Sequence, residues 1–76
     1  MTASQYIAIL QERRRANLQR LAEQAGSQAK AAEQMGMDRG QLSNLLGGKL
    51  TVSEYRARKA EQFLGLAYGV LDLPLP

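Results

Sequence analysis

Apolar residues recur along this chain at helical spacing, and glycines rather than prolines punctuate them. In the first segment, about Thr2 to Ala25, Ile7, Leu10, Leu18, Leu21 and Ala25 fall on one helical face, with Arg14 filling the gap in that stripe. The gap leaves two readings open: one long helix, or a short helix followed by a second. Gly26 ends the segment. Ser27 is an N-cap signal for a helix from Gln28 to Met35, with Ala31, Ala32 and Met35 on its inner side, and Gly36 is a natural left-handed stop. Asp38 with Gln41 three residues later forms a capping-box pattern that opens a helix from Arg39 to about Leu46. Gly47 and Gly48 stop it. Thr51 and Glu54 repeat the pattern and predict a fourth helix through Leu64, ended by Gly65. A short fifth helix is expected around Tyr68 to Asp72, weakened by Gly69. The only prolines, Pro74 and Pro76, lie in the final stretch, and residues 74–76 read as a tail or the start of a linker. No stretch alternates as a strand does. The expectation is an all-α fold, one domain over residues 1–73.

Two of these helices meet across a three-residue turn, Gly36-Met37-Asp38, and a crossing that tight makes demands. The first helix needs a small residue where the second approaches, and Ala32 supplies it. The turn needs a positive φ, which Gly36 takes at little steric cost. Apolar anchors are needed in the turn and on the inner face of the second helix, and Met37, Leu42 and Leu45 stand there. These requirements are met in register over about Ser27 to Leu46, which is the pattern of a helix-turn-helix. A plain helical hairpin in a small bundle would also favour Ala, Gly and Leu. The outer face of the second helix separates the two readings. With Arg39 set at 0° and about 100° per residue, Ser43 lies near 40°, Gly47 near 80°, Gly40 near 100° and Asn44 near 140°. Leu46, Leu42 and Leu45 fall near 340°, 300° and 240°. The outer face is thus short-chained, polar and free of acid, whereas an ordinary solvated face would carry Glu and Lys.

Composition narrows the chemistry. The 76 residues include no cysteine and no histidine, which removes disulfides, thiolate metal sites and the commonest general base. The seven carboxylates are scattered among cations and form no paired acid–base constellation, so no enzyme activity and no cofactor are expected. Ten Lys and Arg give a net charge of +3, compatible with a polyanionic partner. No apolar run approaches the ~20 residues that span a bilayer, and Met1 to Leu10 lacks the basic start of a secretion signal. The expected location is cytoplasmic, at the nucleoid of a bacterial or phage-infected cell. Nothing points to a membrane or a small-molecule ligand. A nucleotide-binding P-loop fails despite Gly48-Lys49, because the earlier glycine is misplaced and Leu50 stands where Ser or Thr is needed.

The stretch from Gln28 to Lys49, together with Ala57, Arg58, Lys59 and Glu61 and the segment Leu66 to Asp72, resembles the lambda-repressor/Cro family of phage-type helix-turn-helix regulators. The resemblance covers about Asn17 to Asp72 and is most specific from Gln28 to Lys49. It implies a five-helix domain whose third helix enters the major groove, and dimers that bind an inverted-repeat operator in double-stranded DNA. Family positions that touch bases match Arg39, Gly40, Ser43 and Asn44. Arg39 is then assigned to guanine O6 and N7 and Asn44 to adenine N6 and N7. Gln28 resembles the family's phosphate-contacting glutamine. Gln41, Gly48 and Lys49 are further phosphate candidates, although Gln41 has a second use in capping Asp38.

Other positions carry two readings each. The run Arg13-Arg14-Arg15 is a charged helical face by default and a phosphate contact otherwise. The family often has a bulky apolar residue at the position of Arg56, a departure that shifts the expected core contact of the fourth helix to Tyr55, Ala60, Phe63 and Leu64. Leu66, Tyr68, Val70 and Leu71 are either core or a homodimer seam. The expected function is a transcriptional regulator, most naturally a repressor. An antitoxin that represses its own promoter and a helix-turn-helix used only for protein contact are the rival readings.

Overall fold

The computed structural model describes residues 1–75, so Pro76, in the expected tail, lies outside the described residues. Helix α1 (Ala3–Ala25) is one unbroken helix of 23 residues. Its start is fixed by a full capping box: Thr2 Oγ1 accepts from the Gln5 amide, and the Gln5 side chain accepts from the Thr2 amide. The apparent gap at Arg14 does not break it, because Arg14 itself turns inward and is 4% exposed. Gly26, at φ 91°, closes the helix.

Helix α2 (Gln28–Gln34) follows at once, with Ser27 Oγ accepting from the Lys30 amide. Helix α3 (Arg39–Leu46) is capped by Asp38, whose carboxylate accepts from the Gln41 amide at 2.7 Å. Helix α4 (Glu54–Leu64) starts later than the Thr51/Glu54 pattern predicts, and its N-cap is Ser53, which accepts from the Arg56 amide. The reason lies in Val52. Its side chain is buried, and its backbone is held from α1 by the Gln11 amide, which donates to the Val52 carbonyl and accepts from the Val52 N–H, both at 2.8 Å. Held in that way, Val52 lies outside the helix, and coiling begins after it. Beyond Gly65 the expected fifth helix is a single 3-10 turn, Val70–Asp72. The described residues thus form four α-helices and no strand.

Helix α1 is the spine against which α2, α3 and the 3-10 turn pack, while α2 packs on α3 and α4 on the 3-10 turn. The core draws on every element: Leu18 and Ala22, Ala31 and Ala32, Met35, Leu42 and Leu45, Val52, Ala57 and Ala60, and Leu71. Tyr55 and Phe63, expected to carry core contacts of α4, are instead 72% and 59% exposed. The small residues Ala57 and Ala60 take the buried places. Among the described residues no helix is long and apolar enough to cross a membrane.

A buried polar network joins the two ends of the chain. Arg14 Nε donates to Asp72 Oδ1 at 2.6 Å, and its other nitrogens reach the Val52 carbonyl and Glu54. Arg58 donates to the same Asp72 oxygen at 2.8 Å. Glu61, 2% exposed, accepts from the amides of Gly69 and Leu71 and pairs with Arg58 at 3.1 Å. Asn17 Nδ2 donates to the carbonyls of Leu71 and Leu73. Together these groups satisfy backbone positions of a C-terminal segment that has little helix of its own.

Candidate nucleic-acid interface

The α2–α3 crossing sets the attitude of α3. Ala31 and Ala32 are buried where the helices meet. Gly36 takes φ 72°, and a Cβ there would lie 2.7 Å from the ring of Phe63, so any side chain at that point would have to displace the ring. After the turn, Leu42 and Leu45 are wholly buried and fix the rotation of α3 about its axis. The opposite side of the helix is left to solvent.

That side holds the residues singled out for base contact. Arg39, Gly40, Ser43 and Asn44 are all exposed. Among the described residues, no hydrogen bond or ion pair engages the side chains of Arg39, Ser43 or Asn44. Gly40 is tight only against its own cap, with Asp38 Oδ1 3.3 Å from where a Cβ would sit. Asp38 is exposed beside this face, but its charge is directed into the helix start.

The phosphate candidates divide. Gln28, Gly48 and Lys49 are exposed. Gln41 is half-buried and lines a groove of about 290 Å³ with Met35, Met37, Ser53, Tyr55, Arg56 and Lys59, a groove that neither Arg39 nor Asn44 lines. Gly48 and Lys49 belong to a loop that α1 holds in place. Asn44 O accepts from the amides of Lys49 and Leu50, and Gln11 and Arg14 grip the loop's end at Val52.

Arg14 and Arg15 are alike in sequence, and the fold separates them. Arg14 is buried in the polar network, contrary to the expectation of a solvated face. Arg15 instead reaches the Gly48 loop, where its guanidinium carbon lies 3.6 Å from the position of a Gly48 Cβ. The available signal was the inward spacing of Arg14 at i−4 from Leu18, which sends Arg15 about 100° away.

The internal network also alters the surface balance. Burial alone would raise the Asp72 carboxyl, but hydrogen bonds from Arg14 and Arg58, and their charges, outweigh it and hold the carboxyl below the usual range. Burial would likewise lower Arg58, yet Asp72 and Glu61 hold its guanidinium charged with an affinity above the ordinary one. Arg58 also lies over the Tyr68 ring, 4.6 Å from its centre. Glu54, Glu61 and Asp72 are thereby engaged by just two cations, and the remaining surface is more basic than the composition suggests.

No family model, curated protein or solved structure matches this chain. The case for the surface rests on its own chemistry. Its unengaged donors are a guanidinium at the first residue of a short helix and a carboxamide about one and a half turns on. Both are side chains able to make bidentate hydrogen bonds to base edges. Two cations stand beyond the far end of the same helix, Lys49 in the loop that follows it and Arg15 reaching that loop from α1.

The candidate dimer residues also divide. Leu71 is fully buried and belongs to the core of one chain, and Leu66 packs partly against that core. Val70 is half-buried, and Tyr68 alone is strongly exposed, at 80%.

Proposed function

We propose that this protein is a sequence-specific DNA-binding transcriptional regulator, a repressor of the phage or prophage type, acting by occupying an inverted-repeat operator as a homodimer rather than by catalysis. The observation that carries this reading is the outer face of α3. Arg39, Ser43 and Asn44 stand exposed and unengaged there, opposite two leucines that are wholly buried. The resemblance to the lambda-repressor/Cro family agrees with it, with the 3-10 turn Val70–Asp72 standing where that family's fifth helix would be. In this proposal α3 lies in the major groove. Arg39 reads guanine and Asn44 adenine, each worth about 1–3 kcal/mol of discrimination. Gly40 and Ser43 complete the base-reading face, while Gln28, Gly48, Lys49 and Arg15 contact phosphates.

The test is selection of bound sequences from random duplex DNA, at low and at near-physiological salt. The expected result is an inverted repeat with half-sites about 34 Å apart, one helical turn, bound with an affinity that falls steeply as salt rises. Arg39→Ala should relax the preference at one base of each half-site while leaving the others. Absence of any enriched sequence, with binding lost at moderate salt, would overturn the operator reading.

A further inference from the structure

The chain carries no charged side chain before Glu12. Over this stretch α1 runs clear of the rest of the fold: residues 1–8 are exposed, and Ile9 and Leu10 are half-buried. The overhang is a specified helix all the same, since the Thr2–Gln5 capping box fixes its start in full solvent. At about 100° per residue, Ala3, Tyr6, Ile7 and Leu10 fall within roughly 60° of the line through Arg14, Asn17, Leu18 and Leu21. The core-facing stripe of α1 therefore continues past the core with nothing over it. Tyr6 is 54% exposed there and Ile7 57%. The other side of the overhang carries Met1, Ala8 and Ile9 with the polar Gln5 among them. An apolar stripe along a helix is built for burial.

We infer that a second copy of this chain covers the overhang, the two arms crossing antiparallel about a two-fold axis between Tyr6 and Ile7. Charge selects the partner. The chain has a net charge of +3, and its first cations come in a run at Arg13, so the arm is where two copies meet without like-charge contact. An acidic partner would find no cationic side chain on it. Register selects the direction. Antiparallel pairing sets the small Ala3 opposite the partner's Leu10 and the aromatic Tyr6 opposite the partner's Ile7, filling volume evenly. Parallel pairing sets Ala3 on Ala3, which leaves a gap, and brings the two Arg13–Arg15 runs together. A two-fold contact of this kind is closed, as homodimer interfaces generally are. The arm is only about 15 Å long, and its contact falls below the ~1,200 Å² of a stable standard interface. The dimer is accordingly concentration-dependent.

Sedimentation of the full chain without DNA, from about 5 to 500 µM, tests this by mass action. The wild type should pass from monomer to dimer across that range. Tyr6→Glu and Ile7→Lys should each weaken association at least about tenfold, with helix content, and the thermal midpoint at about 5 µM where the wild type is monomeric, unchanged because neither residue is in the core. An equimolar mixture of the two variants should dimerise again, since the introduced carboxylate faces the introduced ammonium across the axis. A wild type that stays monomeric throughout, or a mixture that fails to recover, overturns the proposal. So does a dimer abolished by Tyr68→Glu and untouched by the arm variants. Because no DNA is present, failure here leaves the operator reading standing, and the selection experiment tests that reading separately.

Discussion

Arg14 illustrates how a residue that looks like an interruption can be a keystone. In a stripe of Leu and Ile it reads as a gap, yet it is buried and hydrogen-bonded to Asp72, Glu54 and the Val52 carbonyl. Nothing in α1 alone specifies that outcome, because the partners lie 38 to 58 residues away. A similar distance hid the roles of Gln11 and Asn17, and Glu61 likewise serves backbone groups beyond its own helix. Asp72 gives the arrangement a pH signature. Its carboxyl is held below the usual value, so its contribution to stability is complete above about pH 4, the unfolded value, and is lost as pH falls through the lower folded value. Urea unfolding of wild type and Asp72→Asn should therefore show a clear gap at neutral pH that narrows towards about pH 3. A gap of constant size would mean that Asp72 acts by shape and not by charge.

At the level of elements, the signals that were legible are the local ones. Ser27 and Asp38 cap their helices as their positions announce, Gly36 takes its positive φ, and Leu42 and Leu45 are buried as the angular pattern requires. The exposed positions on α3 were readable for the same reason: a short helix with two buried leucines has one free side. Where a start or stop depended on another element, it was not readable. Thr51 offers as good a cap pattern as Ser53, and only the grip of Gln11 on Val52 decides between them. Phe63 is a related case. It looked like core and is largely exposed, but its ring covers the Gly36 turn. Gly36→Ala should cost about 1–2 kcal/mol from the left-handed backbone alone, plus the displacement of Phe63. In a Phe63→Ala background only the backbone cost should remain, whereas Gly26→Ala, with nothing within 4 Å, should cost the same in both. Chemical denaturation of the six proteins measures this coupling. Equal costs for Gly36→Ala in both backgrounds would remove Phe63 from the turn.

For the whole molecule, a chain of 76 residues has a total stability of only about 4–11 kcal/mol, and the polar network is a substantial part of what closes the C-terminal segment onto α1. The segment was expected to close through a fifth helix. It closes instead through Glu61 and Asn17, which bind its amides and carbonyls directly. The unbroken course of α1 has a mechanical consequence. One end of this rod carries the uncharged arm, and further along it grips the loop that follows α3. A rigid rod transmits torsion, so on the proposed pairing the phase of the arm sets the direction in which each copy aims its reading helix. One alanine inserted between Ala8 and Ile9 would turn the arm by about 100° and lengthen it by about 1.5 Å. Each copy would still fold and still recognise a half-site, as footprinting on an isolated half-site would show. The two copies would no longer share one face of the duplex, and the preference for an inverted repeat would be lost while the half-site sequence stayed the same. On the two proposals together, the spacing of the operator is written in the pitch of α1.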